Sequence, residues 1–388
     1  MSDEIEKILN RGVENVYPSK EALKEVLESG KKLTIYLGID PTGSTLHIGH
    51  GVALKKLRAF QDLGHKIILL IGDYTALIGD PTDKDKTRPV LTHEEIMKNS
   101  ACFKKQASAI LSFDGENPAE LKYNGEWLSK LTFEETIRLA SHFTVGQMIE
   151  REMFARRIKE GKPIHLHEFL YPLMQGYDSV AMDVDMEIGG NDQTFNMLSG
   201  RTLMKQMKNK EKFVLTTKLL IDPQGRKMGK SEGNMITLAD SPEDMFGKVM
   251  SWPDGRMALG FELYTDLPMA RIESRTLENP METKKELARN IVETYHGKEK
   301  ALSAMNFFET AHQKREIPKE APEILIKGRK NLMDVLVSEN FVSSKTEFRR
   351  LIDEGAIKVN GEKIIKYNYE PQNKDIVQIG KHRFYKMI

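Results

Sequence analysis

Residues 33–72 read LTIYLGIDPTGSTLHIGHGVALKKLRAFQDLGHKIILLIG, and this stretch decides the predicted fold. Residues 33–39 and 66–72 are short apolar runs rich in Ile and Leu, and residues 48–63 between them carry apolar side chains at helical spacing. The order is therefore strand, helix, strand. Because both strand runs are continuously apolar rather than alternating, we expect strands covered on both faces, as in a doubly wound parallel sheet.

Two further strands are predicted at residues 185–188 and 213–220. A long and mostly helical stretch, residues 92–159, separates them from the first pair. The sheet is therefore expected to be split by an insertion. The sequence predicts an α/β fold with a Rossmann-type sheet that is interrupted by helices.

The second half of the chain is helical and charged after Ser231. Ser241 and Pro242 suit the cap and first turn of a helix, and residues 283–295 are amphipathic. Residues 316–330 contain two prolines and mixed charge, which favours a linker. A helix, helix, strand pattern follows from Leu332.

Composition excludes several classes of protein. Of the 388 residues, 30% are charged and 39% apolar, and no run approaches the roughly 18 apolar residues that a membrane span requires. Cys102 is the only cysteine, so an internal disulfide and any zinc site with two thiolates are excluded. The first ten residues are acidic and polar. We therefore expect a cytoplasmic protein that does not contact membranes.

Charge is distributed unevenly along the chain, although the net charge is only +1. Residues 324–388 hold 13 Lys and Arg against 8 Asp and Glu, whereas residues 1–323 hold 45 against 49. A basic tail is typical of a small module that contacts phosphate, but a solvated surface gives the same pattern.

The segment PTGSTLHIGH at residues 41–50 leaves the first strand and opens the next helix. Amides at a helix N-terminus attract anions, and His47 and His50 add donors on the first turn. Gly49 lies between them. We interpret this segment as a triphosphate site rather than a pair of capping histidines.

The segment KMGKS at residues 227–231 follows the last predicted strand, among several glycines. Lys227 and Lys230 could follow the charge that develops on a leaving pyrophosphate. On its own such a charged loop is a weak signal. In this order after HIGH, it is a strong one.

Together, HIGH and KMGKS resemble the two signatures of class I aminoacyl-tRNA synthetases. Four other segments resemble successive blocks of the tyrosyl-tRNA synthetases, and the resemblance covers nearly the whole chain. These segments are YLGIDPT at 36–42, IGDP at 78–81, YPLMQGYD at 171–178 and GGNDQ at 189–193.

The resemblance implies a role for individual residues. It places the substrate phenol between Tyr36 and Asp178, which suits a hydroxyl that both donates and accepts. The substrate ammonium needs acceptors and a carboxylate. The remaining implied contacts are Asp80, Tyr171 and Gln175 for the ammonium, Gln193 for the carboxyl region, Asp40 and Asp192 for adenosine, His50 near the ribose, Gly49 for ATP, and Thr42, His47, Lys84, Arg88, Lys227 and Lys230 for the phosphates.

The implied reaction uses ATP with Mg²⁺, although no set of metal ligands in the protein is visible in the sequence. The carboxylate of tyrosine attacks the α-phosphate, so catalysis is positioning and charge stabilisation. The sequence departs from the usual family motifs in two places. Gly229 replaces a small hydroxyl residue of KMSKS, and Asp83 and Asp85 make the surroundings of Lys84 more acidic than expected.

The tail segment VSSKTEFRRLI at 342–352, followed by IKVNG at 357–361, resembles an S4-type RNA-binding domain. Lys345, Arg349 and Arg350 are expected on one helical face where they would meet phosphate. Asn360 and Gly361 between two apolar runs predict a hairpin.

These observations predict a catalytic domain at 1–235 with a helical insertion at about 92–160, an α-helical anticodon-arm domain at 236–315, a linker at 316–331 and an S4-like α+β domain at 332–388. The resemblance implies L-tyrosine, ATP and tRNA(Tyr) as partners, and a homodimer with its interface at about 132–157. Nothing in the periodicity of those helices identifies an interface.

Three alternatives compete with this interpretation. The tryptophan-specific relatives share the fold and the ATP signatures, but Tyr36, Gln175 and Asp178 favour a phenol over an indole. Small nucleotidylyltransferases also contain HIGH, but they lack the second lysine signature and the RNA-binding tail. A non-enzymatic RNA-binding descendant of a synthetase would have lost active-site groups, whereas the motifs here are intact.

Replacing Lys227 or Lys230 by alanine is expected to slow adenylate formation far more than it weakens tyrosine binding. The reason is that their charges would meet pyrophosphate mainly in the transition state. Pre-steady-state measurement of adenylate formation checks this. An unchanged rate in both variants would remove this loop from the mechanism.

Overall fold

The computed structural model describes residues 2–80, 91–220, 235–310, 321–326, 331–339, 341–380 and 383–388, apart from the side chain of Glu152. The chain forms two compact units. The first consists of Met1–Ala239 and Ala258–Met269, and the second of Asp240–Met257 and Ala270–Ile388. None of the helices in the described ranges is long and apolar enough to cross a membrane.

The described strands are β1 (Val13–Tyr17), β2 (Thr34–Ile39), β3 (Lys66–Ile71), β4 (Glu120–Tyr123), β5 (Met186–Gly190), β6 (Phe213–Thr217), β7 (Glu323–Ile324), β8 (Ile357–Val359), β9 (Glu362–Lys363), β10 (Ile376–Ile379) and β11 (Arg383–Met387).

The described α-helices are α1 (Ser2–Asn10), α2 (Lys20–Glu28), α3 (Ile48–Asp62), α4 (Thr75–Ile78), α5 (His93–Ser100), α6 (Phe103–Ala107), α7 (Gly125–Leu128), α8 (Phe133–Ala140), α9 (Val145–Ile149), α10 (Glu152–Lys159), α11 (Leu170–Met182), α12 (Thr194–Lys208), α13 (Pro242–Met250), α14 (Met257–Tyr264), α15 (Met269–Glu278), α16 (Pro280–His296), α17 (Lys298–Phe308), α18 (Leu332–Ser338) and α19 (Lys345–Asp353). Short 3-10 helices lie at Leu166–Phe169, Asn191–Gln193 and Asp254–Arg256.

The first unit is built on a six-stranded sheet in the order β1-β6-β5-β2-β3-β4. β2 pairs in parallel with β3 and β5, and β4 and β6 extend the parallel pairing outward. β1 runs antiparallel to β6 at the edge. From β2 the chain proceeds to one side through β3 and β4, and then returns to the other side at β5. The predicted doubly wound α/β fold is confirmed, with its reversal between β2 and β5.

The strands read from apolar runs are confirmed as β2, β3, β5 and β6, and the helix between the first two is α3. In β3 every residue from Ile67 to Ile71 is buried. This is the covering on both faces that a continuous apolar run predicts, because helices pack on each side of a parallel sheet.

The two edge strands β1 and β4 were not predicted. Their sequences, VENVY and ELKY, carry polar side chains because an edge strand is only partly covered. β4 is paired with β3 along its whole length, from Ile68 opposite Glu120 to Ile71 opposite Tyr123. The stretch read as a helical insertion therefore contains the last strand of the sheet.

Helices α11 and α12 pack closely against each other in the first unit. A Cβ atom on Gly176 would lie 3.1 Å from the backbone nitrogen of Gly200, and one on Gly200 would lie 2.8 Å from the Ser179 hydroxyl. Glycine at these two positions therefore allows the close approach. α11 carries several of the predicted substrate contacts, so this packing fixes their distance from the sheet.

The second unit begins with helices α13, α16 and α17, which pack against one another. The predicted cap is confirmed, since the Ser241 hydroxyl accepts from the Asp244 amide at 3.1 Å and Pro242 occupies the first turn. The predicted amphipathic segment lies within α16, where Leu287 and Ile291 are among the buried residues.

The tail contains α18, α19 and a five-stranded sheet in the order β7-β11-β10-β8-β9. The predicted hairpin joins β8 to β9 through Asn360 and Gly361, whose φ angles are 51° and 87°. Such positive angles suit Asn and Gly. β7 lies within the stretch read as a linker and pairs with β11. Residues 316–320 and 327–330 of that stretch lie outside the described residues.

His65 links the starts of β2 and β3, because its Nδ1 atom accepts a hydrogen bond from the Leu33 amide at 3.0 Å. Burial, followed by the charge of Lys32, lowers the pKa of His65 to about 4. The unfolded chain takes up this proton near pH 6.5. Between those values the unfolded state binds more protons, so stability is lost as the pH falls.

Between pH 7.5 and pH 5, we expect the free energy of unfolding of the parent protein to fall by about 2 kcal/mol more than that of His65→Asn. The Asn side chain can accept the same hydrogen bond without titrating. Denaturant unfolding of both proteins across this range measures the difference. Parallel stability curves would show that His65 does not titrate as argued.

Candidate active site

The polar groups that follow the parallel strands converge at the carboxyl edge of the first sheet. Asp40 follows β2, Asp73 lies two residues beyond β3, Asn124 follows β4, and the 3-10 helix Asn191–Gln193 follows β5. Ligands of doubly wound sheets bind at this edge, beside the point where the strand order reverses. The topology therefore places the candidate site between β2 and β5.

Asp40 is held from two elements. Its Oδ1 atom accepts from the Thr75 hydroxyl at 2.7 Å, and its Oδ2 atom accepts from the Tyr171 hydroxyl at 2.8 Å. A Cβ atom on Gly72 would lie 1.9 Å from Asp40 Oδ1, so only glycine fits there. Burial and then the charge of Asp40 raise the pKa of Tyr171 well above its usual value, which keeps this phenol protonated as a donor.

Asp80 is bound on both of its oxygens. A guanidinium nitrogen of Arg151 lies 3.1 Å from Oδ1, and the Gln193 side-chain amide donates to Oδ2 at 2.7 Å. Burial, and next the charge of Asp80, raises the pKa of Asp192. Three predicted site residues, Asp80, Asp192 and Gln193, are thus brought together.

Asp178 is only 2% exposed and accepts two hydrogen bonds. The Trp127 indole donates to Oδ1 at 2.8 Å, and the Asn124 amide donates to Oδ2 at 3.2 Å. Burial raises the pKa of Asp178 well above its usual value, and these two hydrogen bonds oppose that rise. Asn124 also donates to the Thr75 hydroxyl at 3.0 Å, which joins the surroundings of Asp178 to those of Asp40.

Tyr36 is completely buried in β2, and its hydroxyl lies 2.9 Å from the Ser179 hydroxyl. In the sheet it is the register partner of Glu187 on β5, across the reversal. Glu187 in turn accepts from the Gln175 amide at 3.0 Å. Burial, followed by the charge of Glu187, raises the pKa of Tyr36 well above its usual value, so its phenol is neutral.

The histidine motif caps α3. His47 is the N-cap residue, its amide donates to His50 Nδ1 at 3.2 Å, and the two rings stack with centroids 3.8 Å apart. A Cβ atom on Gly49 would lie 2.9 Å from the His47 ring. Burial, and next the charge of His47, hold the pKa of His50 well below its usual value. His50 is therefore neutral, and since Nδ1 accepts, its proton lies on Nε2.

Residues that follow the lysine motif in sequence pair beside the histidine motif. The Ile48 amide donates to the Ile236 carbonyl at 3.0 Å, and the Leu238 amide donates to the Leu46 carbonyl at 2.8 Å. The segment 46–48 is thereby tied to the segment 236–238. Lys227 and Lys230 themselves lie outside the described residues, as do Lys84 and Arg88.

The remaining predicted residues lie close to those already described. The Thr42 amide donates to the Asp40 carbonyl at 2.8 Å, in the turn between β2 and α3. In the tail, Lys345 and Arg349 share one face of α19, but Arg350 lies about 100° further round the helix. The expectation that all three lie on one face is therefore wrong.

Sequence reasoning missed several residues that shape the site, including Thr75, Asn124 and Trp127. Asn124 and Trp127 follow β4, which itself was not predicted, so nothing in the sequence pointed to the carboxyl edge there. Arg151 was missed because a charged residue next to a helix is usually on the surface.

A doubly wound sheet with a histidine pair at a helix N-terminus and carboxylates at the strand ends defines a Rossmann-type nucleotide-binding protein. The family model for class I tRNA synthetases (W and Y) matches residues 28–313, and that for the SYY-like C-terminal domain of tyrosine–tRNA ligases matches residues 313–384. The chain therefore belongs to the tyrosine–tRNA ligase family of class I aminoacyl-tRNA synthetases.

Curated relatives agree with these matches. The chain is 44% identical to the tyrosine–tRNA ligase of Thermotoga maritima, over 98% of this chain and 96% of the relative. It is 41% identical to the tyrosine–tRNA ligase of Aquifex aeolicus, over 98% of each chain.

Solved structures show the same fold. The C-terminally truncated mitochondrial tyrosyl-tRNA synthetase of Coccidioides posadasii aligns with a TM-score of 0.65 at 24% identity, covering 78% of this chain and 91% of that one. The tyrosyl-tRNA synthetase of Archaeoglobus fulgidus, solved with L-tyrosine, aligns with a TM-score of 0.62 at 22% identity, covering 79% of this chain and all of the other.

Proposed function

We propose that the protein activates L-tyrosine with ATP to give tyrosyl-adenylate and diphosphate, and then transfers the tyrosyl group to the 3′ end of tRNA(Tyr) with release of AMP. The observation that carries this proposal is the buried pair of polar groups on neighbouring elements, Tyr36 on β2 and Asp178 on α11. Buried polar groups at a ligand-binding edge are retained where a ligand has matching polar atoms.

In this proposal the substrate phenol donates to Asp178 and accepts from Tyr36. Trp127 and Asn124 already donate to Asp178, so its carboxylate is oriented before the amino acid arrives. An indole carries only a donor and is larger, which disfavours tryptophan. Ile68, Leu70 and Val184, which pack around Tyr36, supply the apolar wall against which an aromatic ring would lie.

The ammonium of the amino acid binds among Asp80, Tyr171 and Gln175. These groups supply a carboxylate and neutral oxygens, which offset the cost of removing an ammonium ion from water. Arg151 donates to one oxygen of Asp80. A carboxylate accepts several hydrogen bonds, so the ammonium shares Asp80 with Arg151.

ATP enters as its Mg²⁺ complex and lies over the N-terminus of α3. The amides there and His47 meet the triphosphate, and neutral His50 lies near the ribose. Asp40 and Asp192 accept from adenosine, and Gln193 lies near the amino-acid carboxylate. That carboxylate attacks the α-phosphorus in line, the bond to the β-phosphate oxygen breaks, and diphosphate leaves with the electron pair. Thr42, Lys84, Arg88, Lys227 and Lys230 are proposed to stabilise the charge that develops.

The tail is proposed to bind tRNA through phosphate contacts in the cytoplasm. Lys345 and Arg350 are exposed and pair with Asp334 at 3.0 Å and Glu354 at 2.9 Å. Exposed ion pairs are worth little, so phosphates can compete for both cations, together with Arg349. Because Arg350 lies on a different face, it would meet a different phosphate from the other two.

A homodimer is proposed through helices α8 to α10 and the 3-10 helix Leu166–Phe169 that follows them. Large apolar side chains are exposed on these successive elements, at 52–81% of their surface. They are Phe133, Ile137, Val145, Ile158 and Leu166. Apolar side chains concentrated in one exposed part of a chain mark an interaction surface, and a second copy supplies an equally apolar partner.

The amino-acid site predicts how two substitutions change specificity. Tyr36→Phe removes a neutral hydrogen bond and is expected to reduce the preference for tyrosine over phenylalanine by about 2- to 13-fold, whereas Asp178→Asn removes a charged acceptor and should reduce it by about 13- to 150-fold. The measurement is kcat/KM for both amino acids in ATP–diphosphate exchange. A parent enzyme that prefers tryptophan, or variants that keep the full preference for tyrosine over phenylalanine, would contradict the assignment of Tyr36 and Asp178 to the substrate hydroxyl.

The proposed dimer surface predicts a change in assembly. Replacing both Phe133 and Ile137 by Asp places charges on adjacent turns of α8, and we expect the dimer to dissociate. Leu277→Asp is the control, because Leu277 is 87% exposed on α15 and outside the proposed surface. Sedimentation velocity should show a monomer for the first variant and a dimer for the second. A dimer in both cases would place the interface elsewhere.

A further inference from the structure

A buried ion pair lies next to the proposed amino-acid site. Lys212, which immediately precedes β6, is completely buried, and Glu187 on β5 is 2% exposed. The two side chains form a salt bridge. Burying an ammonium ion costs several kcal/mol unless it is paired and fully hydrogen bonded, so such a lysine requires a specific set of partners.

All three donors of the Lys212 ammonium are used. Its Nζ atom donates to a carboxylate oxygen of Glu187, to the Ser179 hydroxyl at 2.7 Å and to the Met197 carbonyl at 3.2 Å. A Cβ atom on Gly200 would lie 2.5 Å from Nζ, so glycine on α12 leaves the space that the ammonium fills. The site therefore provides both the acceptors and the space that a lysine side chain requires.

The other oxygen of Glu187 faces the amino-acid site. Its Oε1 atom accepts from the Gln175 side-chain nitrogen at 3.0 Å. An ionised carboxylate can only accept, so it selects the amide orientation of Gln175 that presents nitrogen. The carbonyl oxygen of Gln175 is consequently directed away from Glu187, where it remains available as an acceptor.

We propose that Lys212 and Glu187 are a positioning pair that fixes the amide orientation of Gln175, so that its carbonyl oxygen accepts from the ammonium group of the substrate. Lys212 donates to one oxygen of Glu187, and the other oxygen of Glu187 orients Gln175. This inference rests on the proposed function, in which the ammonium binds at Gln175. Neither member of the pair contacts the substrate.

The substitution Glu187→Gln tests this directly. Lys212 has no acceptor capacity, so the new amide must turn its oxygen towards Lys212 and its nitrogen towards Gln175. Gln175 must then rotate, which brings a donor to the position where the ammonium binds. The tyrosine analogue 3-(4-hydroxyphenyl)propionate lacks the amino group and is indifferent to this rotation.

Equilibrium dialysis should therefore show a selective loss. In the parent, tyrosine binds more tightly than the deamino analogue, and in Glu187→Gln this advantage should fall about ten- to hundred-fold, since a hydrogen bond to a charged group is lost. The KM for ATP should stay within about twofold, because ATP does not contact Gln175. Glu211→Gln is the control, since Glu211 pairs with Arg201 near the surface, and its tyrosine advantage should equal that of the parent.

The double variant Glu187→Met, Lys212→Met carries the test if the single variant does not fold, because it leaves no charge at this pair. Its tyrosine advantage should fall by about twofold, since without an acceptor beside it only about half of the protein holds Gln175 in the orientation that accepts from the ammonium. The parent must first be shown to catalyse tyrosine-dependent ATP–diphosphate exchange. If it does, and a variant that folds still binds tyrosine more tightly than the deamino analogue by the same factor as the parent, the proposed role of the pair is overturned. A parent without that exchange would instead overturn the proposed function.

Discussion

The structure around the point where the strand order reverses, between β2 and β5, depends on one constraint. Each buried carboxylate there must receive hydrogen bonds from donors in the protein. A buried carboxylate without partners costs several kcal/mol, which is a large part of the stability of a domain. Asp40, Asp178 and Glu187 arise from three different elements, β2, α11 and β5. Each carboxylate is satisfied by donors from elements other than its own, among them α4, α7 and α11, so the hydrogen bonds join the sheet to these helices.

This constraint also explains how the polar groups of the site are held in fixed positions. Thr75 bridges Asp40 and Asn124, and Asn124 reaches Asp178, so the two carboxylates are held through a continuous set of hydrogen bonds. A shift of one group would leave another unsatisfied. Preorganised polar groups lose little entropy when a ligand binds, and they reject ligands that cannot complete their hydrogen bonds.

The sequence predicted the central strands because a strand covered on both faces must be continuously apolar. It failed at β1 and β4, since an edge strand is only partly covered and carries polar side chains such as Glu14 and Lys122. The histidine motif could be placed because its position between a strand and a helix is itself a local property. Its partner segment 236–238 could not, because pairing between distant parts of the chain leaves no local pattern.

The same limit applied to the candidate site. Asp40 and Asp178, two of the residues carried over from the family, lie in one hydrogen-bonded region, but supporting donors such as Trp127 and Asn124 have no pattern of their own. In the tail, the prediction that three basic residues share one helical face failed for a different reason. A spacing of four residues keeps Lys345 and Arg349 on one face, but a fifth residue adds about 100° and carries Arg350 away.

The Lys212–Glu187 pair raises the question of why an interior keeps charge at all. Well-packed apolar side chains are often as stable as a buried ion pair or more so, and stability alone therefore does not explain it. An apolar neighbour would leave Gln175 with two amide orientations that differ by a half-turn and have nearly the same shape. Packing cannot choose between them, because nitrogen and oxygen are similar in size. A group that accepts and does not donate selects the orientation that presents nitrogen, and a carboxylate that is paired with a cation such as Lys212 is such a group. The charge is therefore best understood as a means of specifying orientation at the sheet reversal.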